Sequence, residues 1–187
     1  MKRLFLFIPL SALMFVACNT QNSGQADSTG TADVGSPKSV LVHQLKTTHN
    51  EKEWFVPVNI ALEGVTAEQA MWNDSSGNHS VGQLAYHLLF WNKRQLAKIN
   101  GQPEGAFPEN NNETFTNFSQ AQWTQVVSEL DSVLTAYEKA IESADEATLK
   151  ELYPTIANIS THNAYHTGQI IFVRKLQNSW DPEKGVK

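Results

Sequence analysis

The sequence predicts an all-α fold, a bundle of four helices with a long loop between the second and the third. Three observations support this fold class. Apolar residues recur at helical spacing in four segments, Ser/Thr-x-x-Gln capping boxes mark helix starts, and no segment alternates convincingly as a strand does. The chain has 187 residues, 41% of them hydrophobic, which suits one core of ordinary size. We therefore expect a single helical domain.

The N-terminal segment is typical of an exported lipoprotein. A basic start precedes an apolar run at residues 4–16, which is about 20 Å of helix and too short for a bilayer core of about 30 Å. The only cysteine, Cys18, follows this run and resembles a bacterial lipobox cysteine, with Phe15 where Leu is usual. We expect a signal peptide at 1–17, lipidation of Cys18 and a lipid-anchored place in the bacterial cell envelope. The alternative is a free cysteine behind an uncleaved anchor.

The next segment has the composition of a flexible tether. Residues 18–37 are rich in Ser, Gly, Thr, Gln and Asp and cannot bury enough surface to become ordered. As a random coil such a segment spans roughly 25 Å. The helical bundle domain is expected at 38–180, followed by a tail at 181–187. With its only cysteine acylated, the domain has no thiol of its own for a disulfide or a nucleophile.

The charge balance argues against nucleic acid as a partner. The formal net charge is −5, and lysines and arginines do not cluster along the chain. A surface that follows phosphates needs such a cluster. We therefore expect no nucleic-acid binding.

The first helix is predicted from the Ser36-Pro37 start to about Leu62. Serine suits the N-cap, and proline is tolerated in the first turn because its missing N–H has no partner there. Pro57 lies inside the predicted helix. We therefore expect a kink that frees the carbonyl of Glu53.

Capping boxes place the next elements. Thr66 and Gln69 open a short helical turn, and Ser80 and Gln83 open a second long helix that ends near Asn100. Prolines and an asparagine run then predict a long loop, at residues 101–118.

Two further helices complete the predicted bundle. The third begins at 119–122 and carries an amphipathic stripe of apolar residues. After a break at 143–151, the last helix runs from about Thr155 to Gln177. Ile159, Ile170 and Val173 share one of its sides with two histidines.

Those two histidines form the candidate metal site. His162 and His166 are four residues apart, so their rings project from one face of a helix. His87 occupies a similar core-facing position on the second helix. Facing helices of a bundle build metal sites in this way, and three imidazoles leave coordination positions open, as catalytic sites do. The alternative is three core histidines that donate to backbone carbonyls.

Other side chains are candidates for supporting roles. Gln169 and Asn158 are one turn from a metal-site histidine, and each could accept a hydrogen bond from a ring N–H. The alternative is that they only satisfy other polar groups of the core. Glu53 and His49 are the candidates for a catalytic carboxylate or base near the metal, each with the alternative of a solvent-exposed side chain. His79 is predicted to be a turn residue, about 12 Å along the helix axis from the second helix's histidine.

Five segments together resemble the DinB-like superfamily over residues 38–177. They are Trp54-Phe55-Val56-Pro57, Ala61-Leu62-Glu63-Gly64-Val65-Thr66-Ala67-Glu68-Gln69, His79-Ser80-Val81-Gly82-Gln83-Leu84, His87-Leu88-Leu89-Phe90-Trp91-Asn92 and His162-Asn163-Ala164-Tyr165-His166-Thr167-Gly168-Gln169-Ile170. The resemblance implies a four-helix bundle that binds one divalent metal ion. Its ligands would be one histidine of the second helix and two of the last, here His87, His162 and His166.

The resemblance also guides the expected function. A metal ion held by three histidines can activate a water molecule or an external thiol. Characterised members of the superfamily include transferases and isomerases that use small thiols, whereas an envelope location would separate the domain from cytosolic thiols. We predict a metal-dependent hydrolase or a thiol-dependent transferase that acts on a small molecule. The alternative is a non-catalytic, lipid-tethered module that binds a metal or ligand.

Two features of the expected assembly stay open. Imidazole accepts zinc, nickel, iron or copper, so the sequence does not select the metal. The aromatic residues Trp54, Trp91 and Trp123 could form a homodimer interface, with core positions as the alternative.

Overall fold

The computed structural model describes residues 35–107 and 109–186, and in these ranges the chain is helical without strands. The expected all-α fold class is therefore confirmed. The predicted signal peptide, Cys18 and most of the tether lie outside the described residues. The helices are α1 Pro37–His49, α2 Val58–Leu62, α3 Ala67–Met71, α4 Val81–Ile99, α5 Glu113–Thr116, α6 Trp123–Ser143, α7 Glu146–Lys150 and α8 Tyr153–Leu176, with 3₁₀ turns at Gln120–Gln122 and Pro182–Lys184.

The four long helices pack as the bundle. Helix α4 lies against α6 and α8, and α1 lies against the same two helices. Apolar side chains of all four fill two buried clusters. None of the helices in the described ranges is long and apolar enough to cross a membrane.

Several helix starts form as the sequence predicts. Ser36 accepts a hydrogen bond from the backbone N–H of Ser39 at 3.1 Å and caps α1, with proline in the first turn. At α4, the Gln83 N–H donates to Ser80 Oγ at 3.2 Å, and the Ser80 N–H donates to Gln83 Oε1 at 2.9 Å. The capping box of α3 is also present. These short-range hydrogen bonds fix where α1, α3 and α4 begin.

The prediction of one kinked helix through Pro57 is wrong. Helix α1 ends at His49, and Pro57 is instead the N-cap of the separate helix α2. Thr47 and Thr48 donate their hydroxyls to carbonyls of the last turn of α1, and the Asn50 N–H bonds to the carbonyl of Lys46. These poor helix formers therefore end the helix before proline is reached. Glu53 lies outside any helix, so no helical carbonyl is freed there.

The predicted loop at 101–118 contains an additional short helix, α5. Its residues Thr114 and Phe115 are buried, and α5 packs on α4. Nearby, a Cβ on Gly82 would lie 2.1 Å from the Phe118 ring, so only glycine allows this approach. The loop therefore packs closely against α4. The predicted break at 143–151 likewise contains the short helix α7.

His49 is buried, although the sequence favoured an exposed position. Its side chain follows Leu41 and Leu45 at four-residue spacing and faces α6 with 0% exposure. There Nδ1 lies 2.7 Å from Glu138 Oε1, and Nε2 lies 2.9 Å from Asp131 Oδ1. Burial by itself lowers the pKa of His49, but hydrogen bonds to both carboxylates outweigh burial and raise it. The histidine therefore joins α1 to α6 as a cation between two anions.

We predict that the wild-type chain loses stability as the pH rises from 6.5 to 9. The raised pKa of His49 adds stability that is complete below the unfolded value of about 6.5 and lost as the pH passes the folded-state pKa. Urea denaturation should show a decline of at most about 1.4 kcal/mol per pH unit. His49→Gln should remove the decline, whereas His43→Gln, at an exposed site, should retain it. A wild-type free energy of unfolding that does not fall over this range would contradict the assignment.

Candidate metal centre

Three histidines from two packed helices meet inside the bundle. His162 and His166 project from one face of α8 toward His87 on α4. One ring nitrogen of each lies within 4.8 Å of the others. His87 and His166 retain only 2% and 8% of their exposure. The packing of α4 on α8 thus brings together all three predicted ligands.

Within this triad, two equivalent nitrogens lie within hydrogen-bond distance. His87 Nε2 lies 3.0 Å from His162 Nε2. Two nitrogens bound to one tetrahedral ion, each about 2.05 Å from it, would stand about 3.3 Å apart, so the spacing fits shared coordination. In a metal-free protein, one of the two nitrogens must instead carry a proton and donate it to the other.

Thr114 of α5 fixes the tautomer of His87. The threonine hydroxyl donates its only proton to the carbonyl of Asn111 at 2.7 Å. It can therefore only accept from His87 Nδ1, which lies 2.6 Å away. This places the proton of the neutral ring on Nδ1 and leaves the Nε2 lone pair facing His162. The sequence did not indicate Thr114, because the contact crosses 27 residues.

Gln169 fixes the tautomer of His166, as Thr114 does for His87. Its Oε1 lies 2.6 Å from His166 Nδ1 and can only accept. The amide Nε2 of Gln169 points to the Tyr165 hydroxyl at 3.3 Å, which is consistent with this orientation of the amide. The Nε2 lone pair of His166 is thereby free for an ion.

His162 differs from the other two. Its Nδ1 is buried and has no hydrogen-bond partner among the described residues. Asn158, the predicted partner, is exposed and does not pair with this nitrogen. It instead lines a cavity of about 240 Å³ together with His162.

An aromatic ring closes one side of the site. Phe115 is stacked between His79 and His87, with ring centroids 3.9 and 3.8 Å apart and nearly parallel planes. His79 lies in the turn before α4, as predicted, and only the Phe115 ring separates it from His87. The asparagine-rich loop contains three phenylalanines, Phe107, Phe115 and Phe118, and these apolar residues were the sequence signal that the segment returns to the core.

The triad is electrostatically arranged to stay neutral. Burial, with the other histidines adding to it, lowers the pKa of His87 to about 3. Burial and the neighbouring His166 lower the pKa of His162 to about 4, although the side chain of Asn163 next to it opposes this shift. Burial also lowers the pKa of His166, although the hydrogen bond to Gln169 opposes this. Neutral imidazoles are the form that binds metal, so protons compete little for these ligands.

Glu53 and His49, the two candidates for a catalytic role, are bound to side chains outside the triad. Glu53 pairs with His43 at 3.2 Å and lines a separate cavity of about 690 Å³. His49 is held between Glu138 and Asp131. The structure therefore does not bring either candidate into the triad.

The three tryptophans considered for a dimer interface occupy different environments. Trp54 is 90% exposed, whereas Trp91 is half-buried and Trp123 is buried. The indole N–H of Trp123 donates to the carbonyl of Val65 at 2.8 Å. Trp123 is therefore a core residue, and dimerisation stays a prediction.

The chain matches a known protein family. A family model described as the DinB superfamily matches residues 58–172, a range that holds all three histidines. No curated protein and no solved structure matches the chain.

We predict that Thr114→Val weakens zinc binding by about 10- to 100-fold, because His87 then loses the acceptor that fixes its tautomer. Chelator competition measures the affinity. Thr116→Val is the matched control, since this residue is exposed on the same short helix and its replacement should leave the affinity unchanged. Equal affinities for both variants would show that Thr114 does not orient the ring.

We also predict that zinc affinity changes little between pH 7.5 and 5.5. Three ordinary imidazoles would lose about a thousandfold in affinity over this range through protonation. The lowered pKa values of His87 and His162, about 3 and 4, reduce the expected loss to less than about tenfold. Titration with a pH-insensitive competitor measures it, and a thousandfold loss would contradict the neutral triad.

Proposed function

The chain belongs to the DinB superfamily, and on that premise we propose that it binds one divalent metal ion through His87, His162 and His166 and acts on a small molecule. The proposal is supported by the convergence of three ring nitrogens within 4.8 Å of one another, from the buried His87 and His166 and the half-buried His162. Two of the rings are held through Nδ1 by neighbouring acceptors. That arrangement supports metal binding because it directs lone pairs, and not N–H groups, toward one point.

The donor set also indicates the kind of site. Within the described residues, the cluster contains three histidines and no carboxylate or thiolate. Three neutral ligands leave coordination positions free, which is typical of catalytic centres and not of closed structural sites. Such an ion, when bound, supplies Lewis-acid chemistry that makes a water or thiol nucleophilic near neutral pH.

A small cavity beside His162 is the proposed place for substrate. It has a volume of about 240 Å³, and none of its lining residues is an acid, lysine or arginine; they are Trp91, Gln95, Thr155, Asn158, Ile159 and His162. A larger cavity, of about 730 Å³, is lined by other residues and includes no triad member. The size and lining of the smaller cavity favour a compact, neutral substrate with an apolar part and a hydrogen-bonding group.

Hydrolysis and thiol-dependent transfer are both consistent with this donor set. We favour hydrolysis if the chain is exported and anchored through Cys18 in the bacterial envelope, as its N-terminal sequence predicts. Water is then the abundant nucleophile, whereas a small-thiol cosubstrate would have to be supplied outside the cytoplasm. The localisation and the lipid anchor are part of the proposal.

A non-catalytic metal-binding module is the second candidate. It is favoured by the lack of a carboxylate beside the triad among the described residues. Glu53 and His49 are engaged with other side chains. Neither is therefore placed to act as a general base beside the ligands of the ion. Turnover measurements separate the two candidates.

The proposed function predicts about one equivalent of metal in the full chain purified without chelator. His162→Ala/His166→Ala should lose the metal while helical circular dichroism persists, and His43→Ala, at an exposed site, should retain it. Elemental mass spectrometry measures the content. Metal binding is contradicted if neither the purified chain nor chain reconstituted with zinc, nickel or iron holds an ion.

The same proteins test for catalysis. Neutral esters and amides report hydrolysis, and an electrophile supplied with a small thiol reports transfer. We expect metal-dependent turnover of one class by the wild type and the His43→Ala control, and none by the double variant. Stoichiometric metal without turnover in either assay would favour the binding module.

A further inference from the structure

The hydrogen bonding of the triad is incomplete at His162. His87 Nδ1 is held by Thr114 and His166 Nδ1 by Gln169. The Nδ1 atom of His162 is buried and has no hydrogen-bond partner in the part of the chain that the structure describes. When Nε2 of this ring binds an ion, Nδ1 carries the proton and becomes a buried donor that needs an acceptor.

An unpaired acceptor lies in the wall of the same cavity. Gln95 and His162 both line the 240 Å³ cavity. Within residues 35–107 and 109–186, the Oε1 atom of Gln95 is buried and, like His162 Nδ1, has no hydrogen-bond partner. A buried donor and a buried acceptor that share one cavity can satisfy each other, and each is costly while unpaired.

The helix register brings Gln95 toward His162. Asn92 of α4 pairs with Asn163 of α8, the residue next to His162, at 2.8 Å. Gln95 is three residues beyond Asn92 and therefore lies one turn further along the α8-facing side of α4.

The other amides near His162 are less suitable. The side chain of Asn163 lies close enough to the His162 ring to raise its pKa. Its amide is nevertheless committed to Asn92 on both sides, since its Oδ1 accepts from Asn92 and its Nδ2 donates back at 3.2 Å. Asn158 is exposed. Gln95 is thus the amide whose buried oxygen still needs a donor.

We propose that Gln95 positions His162 for metal binding by accepting the Nδ1–H hydrogen bond through its Oε1. The contact requires adjustment of the glutamine side chain, whose terminal torsion is soft. The inference rests on the proposed metal site. It completes a set in which every ligand ring is oriented by an uncharged oxygen: the Thr114 hydroxyl and the Gln169 and Gln95 amides. An uncharged acceptor orients a ring while adding less to its basicity than a carboxylate would, which favours a more electrophilic ion.

The test compares zinc-loaded full chains with different residues at position 95. Gln95→Met keeps the size of the side chain and removes the acceptor, whereas Gln95→Glu keeps an oxygen acceptor. Asn158→Ala is the matched control, because this residue lines the same cavity. Chelator competition gives the zinc affinity, and ¹⁵N–¹H spectra of the histidine rings report the hydrogen-bonded Nδ1–H of each ligand.

The proposal expects three results. Gln95→Met weakens zinc binding by about 10- to 100-fold and shifts or broadens the Nδ1–H signal of His162 alone. Gln95→Glu restores the affinity to within a few-fold of wild type. Asn158→Ala changes neither measurement.

Two outcomes would overturn it, and they are distinguishable. Wild-type affinity and an unchanged His162 signal in Gln95→Met would reject the role of Gln95 while leaving the metal site in place. A wild-type chain that binds no zinc would reject the proposed function, and the role of Gln95 with it.

Discussion

The packing of α8 against α4 is the contact on which the candidate site depends. It buries His87 and His166, half-buries His162 and sets the three rings against one another, with His87 Nε2 and His162 Nε2 3.0 Å apart. Buried polar rings need hydrogen-bond partners. Thr114 accepts from Nδ1 of His87, and Gln169 accepts from Nδ1 of His166. The ring nitrogens that face the centre of the triad lie within 4.8 Å of one another. A divalent ion there would satisfy all three nitrogens at once, whereas a single shared proton can satisfy only two.

The same residue type serves an opposite purpose elsewhere in the bundle. His49 is also buried, but Glu138 and Asp131 flank its ring, so its pKa is raised and it acts as a cationic link between α1 and α6. Among the described residues, the triad's cluster includes no carboxylate, and burial lowers the pKa of His87 to about 3. The neighbouring groups, and not the histidine itself, decide whether a buried imidazole holds a proton or offers a lone pair.

Local sequence signals predicted much of this structure, and long-range contacts account for what was missed. The capping box at Ser80 and the four-residue spacing of His162 and His166 are short-range patterns, and both appear as expected. The contact of Thr114 with His87 joins segments 27 residues apart, and the burial of His49 depends on a helix 89 residues away. Pro57 was misassigned because threonines before it had already ended α1. The spacing of His49 after Leu45 was available in the sequence but was outweighed by the polarity of the ring.

The most direct test of the account is X-ray absorption at the zinc edge of the metal-loaded full chain. We expect about three imidazole nitrogens at about 2.0–2.1 Å from the zinc ion, with a light non-protein ligand completing the coordination and no sulfur. His162→Ala/His166→Ala should lose this imidazole pattern. An oxygen-dominated shell, or a spectrum that the double substitution leaves unchanged, would show that the ion binds elsewhere and that the three histidines are core residues paired by protons.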